Sequence, residues 1–423
     1  MSRTYDVVVL GSTGTVGKLV CEHLADHYQG KIKWAMAARN KAKMEKVKQD
    51  VAKRYSLRQD IPLLVADATD QVALNNIAKQ TKVIMAMSGP FAKLGTNIVK
   101  ACLKEGTNYV DITGEVQWVQ QMIEEHHDEA ARKGVKIVHC CGFDSIPSEI
   151  GAAFMADHIQ KTFGRPCKSL EAQMVKGSGG LGGGTIYSLL GVFESPKDRL
   201  KRIGDAYALD PPDSSRGPDK GDMLGVKYSK ATGKWTGPFI MAPVNTRVVR
   251  RTNALLQHKY GKNLSYNESV QVPNLFAALI LSALMSLGGL LAWFNLTRKL
   301  IFKLVPAPGT GVTREQMDKG YWELALVGET QEEGGKPSRI ARGRVGHDRD
   351  PGYLSTSRMC LEAAICLATQ EKELRAAGML QGGILTPGSA MGLVLAERLK
   401  AAGLTFEIDT DNAVDVSHKA HHA

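Results

Sequence analysis

Short apolar runs alternate with helical patterns over the first 160 residues of the chain. Residues 6–10 form a strand-like run, and the helical pattern 18–24 follows it after a glycine-rich turn. Further strand-like runs lie at 33–38, 61–66, 82–87, 108–112 and 135–139. Such alternation is typical of a doubly wound parallel sheet. The pattern therefore predicts an α/β fold, with a Rossmann-type domain over residues 1–160.

The turn after the first run has the composition of a dinucleotide-binding motif, because it lies between a strand pattern and a helix pattern. Gly11 permits the tight turn, Gly14 lets the backbone approach a pyrophosphate, and Gly17 lets the helix pack on the strand. The N–H groups and dipole at the helix start favour phosphate. The alternative is a tight turn without a ligand. The cofactor-binding residues predicted here are Gly11, Thr13, Gly14, Thr15, Val16 and Gly17.

The ends of the next three strands indicate which cofactor is bound. Arg39 stands where an NAD enzyme usually places a carboxylate, and an arginine there suits a 2′-phosphate. Asp67 is placed to accept from the adenine amino group, and helix capping by Asp67 or Asp70 is the alternative. The loop expected to line the nicotinamide half contains Ser88, Gly89 and Pro90. NADP(H) is therefore predicted over NAD(H).

Three side chains are candidates for chemistry beside the cofactor. Asp144 and Ser145 follow the sixth strand, and the alternative for each is capping of the next helix. Tyr187 lies beside a glycine tract at 177–184 that suits a phosphate or a flat ring, or else a flexible linker. A core aromatic is the alternative for Tyr187. We retain Asp144, Ser145 and Tyr187 as catalytic candidates.

The pattern changes in the second half of the chain, from about residue 168. Residues 321–328 and 338–345 alternate like two antiparallel strands, which suggests a mixed or antiparallel sheet in a second domain. Residues 203–236 are rich in Gly, Pro, Asp and Ser and predict a long surface excursion.

A long apolar stretch lies within this second half. No charged residue occurs in the 29 positions between Glu268 and Arg298. The stretch is long enough to cross a hydrocarbon layer of about 30 Å, but cationic residues flank both of its ends and favour neither orientation. We expect a hairpin kinked at Gly288 and Gly289 that dips into one leaflet or a lipid-droplet surface. The alternative is a buried helix pair.

Charge and cysteine content limit the partners. Residues 161–260 carry 17 Lys and Arg against 8 Asp and Glu, which suits anionic lipid headgroups, an acidic carrier or an ordinary solvated surface. No basic-aromatic binding motif accompanies this charge, so nucleic acid is not expected. The seven cysteines are scattered, without zinc spacing, and indicate reduced thiols on a cytosol-facing protein and no metal.

Several of these motifs together resemble a known family. They are Gly11-x-Thr13-Gly14-x-x-Gly17, the run 88–91, the run 109–115, Gly142-Phe143-Asp144-Ser145-Ile146-Pro147-Ser148, the run 245–251, the run 306–309 and Thr386-Pro387-Gly388. The chain resembles the saccharopine dehydrogenase-like oxidoreductases. Within them it is similar to the bacterial trans-acting enoyl reductases of complex-lipid (glycolipid) assembly and their eukaryotic lipid-droplet-associated relatives.

The resemblance implies an α+β domain at 161–385 inserted after the Rossmann domain, with residues 386–423 supplying a last helix that returns to it and then a tail. It also implies a reduced nicotinamide cofactor and a double bond in an acyl or polyketide chain, carrier-held or not, as substrate. We expect membrane association facing the cytosol, or a lipid droplet in a eukaryote. The alternatives are a lipid-surface protein that keeps the nucleotide fold without a reaction, and a soluble reductase.

Overall fold

Two β-sheets organise the chain in the computed structural model, which describes residues 3–57, 60–178, 202, 204–304, 312–409 and 414–415. The first part of the chain contains β1 (Tyr5–Leu10), α1 (Thr15–His27), β2 (Trp34–Ala38), α2 (Lys41–Tyr55), β3 (Leu63–Val65), α3 (Gln71–Gln80), β4 (Thr81–Ala86), α4 (Phe91–Glu105), β5 (Asn108–Asp111), α5 (Val116–Lys133), β6 (Lys136–Val138) and α6 (Ile146–Phe163). These elements follow the predicted alternation closely.

The middle of the chain is richer in strands. It contains β7 (Cys167–Ser178), β8 (Lys227–Ser229), β9 (Lys234–Pro238), α7 (Ala242–Leu255), β10 (Ser265–Val272), α8 (Leu275–Trp293), α9 (Asn295–Leu304), α10 (Arg314–Asp318), β11 (Tyr321–Thr330) and β12 (Arg339–His347). A π-helix (Pro351–Ser355) then leads into α11 (Thr356–Thr369), α12 (Glu371–Ala376), β13 (Gly383–Leu385), α13 (Pro387–Ala390), α14 (Gly392–Ala401), β14 (Thr405–Ile408) and β15 (Val414–Asp415).

The first sheet is parallel and has the strand order β13-β6-β5-β4-β1-β2-β3. β1 is central, with Val8 opposite Ala35 of β2 and Ile84 of β4. These three side chains are fully buried, because helices cover both faces of the sheet. The strand order reverses beside β1, and such a switch point is where these sheets bind ligands. The predicted Rossmann-type α/β fold class is confirmed.

The second sheet is mixed and has the order β14-β12-β11-β7-β10-β9-β8, with β15 beside β12. β7 and β10 are parallel, whereas β11 pairs antiparallel with both β7 and β12. The predicted antiparallel pair in the second half is therefore confirmed. α6 packs against β7, β11 and β12 and so connects this sheet to the first.

The last hundred residues join both sheets rather than one. α11 packs on β1, β4 and β5, and β13 extends the first sheet, although both lie inside the predicted middle region 161–385. β14, which lies inside 386–423, instead pairs with β12 of the second sheet. The domain boundaries at 160 and 385 stay a prediction, and the return to the first sheet begins well before residue 386.

Most described residues of the predicted surface excursion at 203–236 are exposed or half-buried, but part of this segment packs against α7. Arg247 and Arg250 of α7 are almost fully buried and pair with Asp222 and Asp219 of the segment, the second pair at 2.9 Å. Arg251, equally buried, donates to the Ile384 carbonyl at 2.7 Å and also to the Leu209 carbonyl. These three arginines are buried, so they do not contribute to a basic surface for lipid headgroups, which was one alternative for the charge of residues 161–260.

Residues 275–293 of the apolar stretch form one uninterrupted helix, α8, so the predicted kink at Gly288 and Gly289 is wrong. A glycine costs an exposed helix only about 1 kcal/mol, and the leucines around the pair continue the helical path. The chain turns instead at Phe294, before α9. The alternative of a buried helix pair is also wrong, because only Ala278 and Ala292 of α8 are buried.

Candidate functional site

A cavity of about 670 Å³ lies along the carboxyl ends of the first sheet's strands. It is lined by residues at the ends of β1 to β5 and by residues just before α6 and just before α7. Residues of the π-helix complete the lining. Of the predicted cofactor residues, those lining it are Gly11, Thr13, Gly14, Thr15, Val16, Arg39, Asp67, Ser88, Gly89 and Pro90. We refer to this cavity as the cleft.

The glycine turn packs too tightly for side chains at two positions. Gly11 has a φ of +93°, and a Cβ atom there would lie 2.2 Å from the Ser88 hydroxyl oxygen. A Cβ atom on Gly17 would lie 2.2 Å from the Gly11 carbonyl oxygen. Gly17 therefore does not line the cleft but allows α1 to approach β1.

Gly14 is the position at which the turn opens towards the cleft. It is the N-cap of α1, and the first turn of this helix contains no acidic side chain. The positive end of the helix dipole is therefore not neutralised by its own sequence, which suits a pyrophosphate. The tight turn and open helix start are the features of a dinucleotide cradle, so the residues present fit NADP(H).

The adenosine end of the cleft contains Arg39 and Asp67. Arg39 is exposed directly after β2. Asp67 accepts from the backbone N–H and hydroxyl of Thr69 at 2.9 and 2.7 Å, and these bonds lower the pKa of the carboxyl. The side chain that caps α3 is that of Asp70, which accepts from the N–H groups of Val72 and Ala73.

The loop 88–91 is held in place by a carboxylate on the loop that follows β5. Glu115, on the next loop, accepts from the N–H groups of Phe91 and Ala92 at 2.8 and 2.9 Å and so caps α4. Burial raises the pKa of this carboxyl, which is almost fully enclosed. The Phe91 ring stacks on Trp118, with centroids 5.9 Å apart. The sequence analysis quoted Glu115 within a motif but assigned it no role.

Asp111 fixes the two loops that form the inner wall. Its carboxylate accepts from the N–H groups of Thr113 and Cys140 at 3.0 and 3.1 Å. The second oxygen is 2.7 Å from Nδ1 of buried His139. Both chain segments that line the cleft next to this point, at 114 and at 142–144, are therefore anchored to one buried carboxylate.

Asp144 lines the cleft beside Gly114, where an added Cβ atom would lie 3.9 Å from its carboxylate oxygen. It is partly buried, and loss of solvation raises the pKa of its carboxyl to about 6. Its carboxylate does not cap α6. A carboxyl with this pKa is part protonated near neutral pH and can serve as a proton donor.

Ser145 has a structural position instead. It is buried and does not line the cleft, and its hydroxyl donates to Oδ1 of Asn245 at 3.0 Å. Asn245 in turn donates to Glu268 at 2.9 Å, and the Tyr266 hydroxyl donates to the same carboxylate at 2.8 Å. The alternative of helix capping is wrong for Ser145, because this hydroxyl links α6 to α7 and β10, and its catalytic role stays a prediction. Tyr187 and most of the glycine tract, from Gly179, lie outside the described residues.

The sequence analysis missed the residues that close the cleft from the second half of the chain. Met241, Gly352, Tyr353 and Thr356 line it, and Thr356 accepts from the Phe143 N–H at 3.1 Å. Tyr353 lies on the π-helix, and burial raises the pKa of its phenol. No local motif marks these positions, because more than 200 residues separate Phe143 from Thr356.

The described cysteines do not form a metal site. All seven are free and buried. Within the described ranges, no three His, Cys, Asp or Glu side chains gather as a metal centre would require.

Comparisons with known proteins agree with this geometry. Residues 7–138 match the family model described as the saccharopine dehydrogenase NADP binding domain. A Mycobacterium tuberculosis protein classed with the trans-acting enoyl reductases is 33% identical over 421 residues, covering 96% of this chain and 97% of its own. A trans-acting enoyl reductase of Mycobacterium bovis is 31% identical over 425 residues, with the same coverage.

A solved structure also covers most of the chain. Saccharopine dehydrogenase (L-Glu forming) from Saccharomyces cerevisiae covers 96% of this chain and 99% of its own, with 14% identity and a TM-score of 0.49. The full-length relatives decide the family, and the matched NADP-binding domain supplies most of the residues that line the cleft. This chain belongs to the trans-acting enoyl reductases of the saccharopine dehydrogenase-like family and is an NADP(H)-dependent oxidoreductase.

Proposed function

We propose that this protein is an NADPH-dependent enoyl reductase that acts on acyl or polyketide chains, carrier-bound or free, during lipid or glycolipid biosynthesis at a membrane or lipid-droplet surface. The observation on which the proposal depends is one continuous cleft from the glycine turn to Asp144. Apolar side chains line the Asp144 end, including Ile112, Phe143 and Met241. The names of the full-length relatives supply the reaction class.

Reduction of an enoyl thioester adds a hydride to the β-carbon and a proton to the α-carbon. A bound reduced nicotinamide supplies the hydride, and residues 88–90 would hold that end of the cofactor. The Asp144 carboxyl would give its proton to the α-carbon, since its raised pKa keeps part of it protonated. Solvent would then reprotonate Asp144, which is partly exposed.

The proposed surface location is supported by α8. This helix has 19 residues, and an 18-residue stretch of it has a mean hydropathy of 2.3 and is only 11% buried. Exposed apolar side chains occur along most of its length, among them Phe276, Ile280, Leu284, Leu287 and Trp293. An exposed apolar surface of this extent marks an interaction with lipid or with a partner.

The connections of α8 favour insertion into one leaflet over a full span. β10 precedes α8 and β11 follows it, and both strands belong to the second sheet. If α8 crossed the membrane, the chain would have to cross back to reach β11. Lys299 and Lys303 of α9 would then lie in hydrocarbon, where each lysine costs roughly 3 kcal/mol. A helix that lies in the membrane interface leaves β10 and β11 on the same side of the membrane. It also keeps the lysines of α9 at the headgroups.

Two variants separate the enzyme from a lipid-surface protein without a reaction. Gly14→Asp should abolish NADPH binding and turnover of long-chain enoyl thioesters, while co-sedimentation with anionic vesicles persists. Leu284→Lys combined with Leu287→Lys should abolish co-sedimentation while NADPH binding persists. Absence of turnover by the wild-type protein, with long and short enoyl thioesters and with vesicles or detergent present, would contradict the reductase proposal.

A further inference from the structure

An apolar strip connects the base of α8 with the cleft. β9 lies beneath this helix, since a Cβ atom added to Gly237 would lie 3.0 Å from Leu281. After β9 the chain continues through Phe239 and Ile240, which are partly exposed, to Met241, which lines the cleft. The four steps from Gly237 to Met241 span at most about 14 Å. The lipid-facing helix and the cleft wall are therefore neighbours.

The residues that join the strip to the cleft are apolar and pack together. Phe239 and Ile240 pack against a small cluster that includes Met241, Val244 and Val248. Methionine is unbranched and adapts its shape readily, so a side chain such as Met241 can yield to a ligand more easily than a branched residue.

A second contact ties the neighbouring loop to the same helix. Ser282 of α8 donates to the Leu224 carbonyl oxygen at 2.8 Å, and the Leu224 side chain is exposed beside it. Apolar surface is thus present on both sides of the base of α8.

We propose that the acyl chain of the substrate enters the cleft directly from lipid, passing between the base of α8 and the entrance residues Phe239, Ile240 and Met241. The inference rests on the proposed function, because it assumes an acyl substrate and a lipid-bound helix. An acyl chain that moves along this strip avoids exposure to water, which is unfavourable for each of its methylene groups. The reactive double bond would then reach Asp144 with its tail still towards α8.

The first experiment compares the wild-type protein with the detached variant Leu284→Lys, Leu287→Lys. The substrates are N-acetylcysteamine thioesters of trans-2-hexadecenoic acid, in phosphatidylcholine–phosphatidylglycerol vesicles, and of crotonic acid in water. The mole fraction of the long substrate in the vesicles is the same for both proteins. Both proteins are therefore exposed to the same aqueous concentration of this substrate, because it partitions between lipid and water. Direct entry from lipid predicts a drop of about tenfold or more in long-chain turnover by the detached variant, equivalent to about 1.4 kcal/mol, with crotonyl turnover unchanged.

The second experiment tests where the chain enters. Phe239→Asp places a charge on the strip while α8 stays intact, so the variant should still sediment with vesicles. The ratio of long-chain to crotonyl kcat/KM should fall about tenfold or more, because an apolar chain would have to pass a charged group. Val72→Asp, an exposed position on α3, is the matched control and should leave the ratio unchanged. NADPH binding monitors folding, and Phe239→Ser replaces Phe239→Asp if that variant does not bind NADPH.

Each result has a distinct meaning. Equal long-chain rates for the wild-type and detached proteins would show that the substrate comes from water and would overturn the inference. A loss in the detached variant without any loss in the Phe239 variants would overturn the proposed entrance. Failure of the wild-type protein to reduce either substrate would refute the proposed function itself.

Discussion

At the scale of single residues, the cleft combines groups that bind charge with one group suited to release a proton. Asp144→Asn keeps the size of the side chain but removes the acid. We expect kcat for an enoyl thioester to fall about 10²–10⁴-fold, with NADPH affinity nearly unchanged. Since the pKa of Asp144 is raised to about 6, wild-type kcat should decline as the pH rises above about 6. A stopped-flow pH profile in which the variant retained this decline would exclude Asp144 as the donor.

Arg39 is the residue expected to select the phosphorylated cofactor. Arg39→Ala should weaken NADPH binding by about 10–100-fold and leave NADH binding unchanged, because a charge-assisted contact with the 2′-phosphate contributes about 1.5–3 kcal/mol. Fluorescence titration with both cofactors measures the change. Lys43→Ala, at an exposed position on α2 outside the cleft lining, is the control for general charge. Equal weakening by both variants would point to nonspecific electrostatics.

Local signals explain which of these residues could be predicted. Gly11, Gly14 and Arg39 follow strands directly, so strand ends in the sequence place them at one edge of the sheet. Met241 and Tyr353 reach the same cleft only through the packing of distant elements. Their neighbours in sequence give no sign of that contact.

At the scale of elements, buried carboxylates hold helices in position. Glu115→Ala removes the two hydrogen bonds that cap α4, and we expect a loss of about 1–3 kcal/mol in the free energy of unfolding. The loop 88–91 should loosen with it, so NADPH affinity should fall as well. Urea unfolding and a binding titration measure both effects. Glu124→Ala, exposed on α5, should change neither, and an unchanged Glu115→Ala protein would show that the cap is dispensable.

The network that joins α6, α7 and β10 should make stability depend on pH. Burial raises the pKa of Glu268 from 4.5 to about 7, so the folded state binds more protons than the unfolded state between these values. The contribution of Glu268 to the free energy of unfolding is on the order of 3 kcal/mol. It is present in full below pH 4.5 and is lost as the pH rises through about 7. Glu268→Gln should flatten this slope in thermal or urea unfolding. Glu332→Gln, at an exposed position, should retain the wild-type slope.

The elements also show where sequence patterns fail. The first six strands alternate with clear helical patterns and were predicted, whereas β13, as short as β3 and β6, lies outside that alternation and joins the sheet by pairing with β6. Arg247, Arg250 and Arg251 carry the signature of a basic surface. Two of them can be buried because Asp219 and Asp222, some thirty residues earlier, neutralise Arg250 and Arg247. The third, Arg251, donates hydrogen bonds to backbone carbonyls.

At the scale of the whole molecule, the proposed contact with lipid depends on the position and exposure of α8. The apolar composition of this helix was evident from the sequence, but its exposure was not, because a buried core helix has the same composition. The structure distinguishes an exposed helix from a buried core helix. Neighbouring residues bury only a small part of α8. The helix can then bring the base of the cleft to the surface from which an acyl chain would come.

Insertion into one leaflet makes a testable statement about both ends of α8. Pro273→Cys and Lys299→Cys introduce exposed thiols before and after the helix, and the seven native cysteines are buried, so background labelling should be low. With protein bound to the outside of sealed vesicles, a membrane-impermeant maleimide should label both positions at similar rates. A spanning helix would expose one thiol and protect the other until detergent is added. Protection of either thiol until detergent is added would contradict insertion into one leaflet.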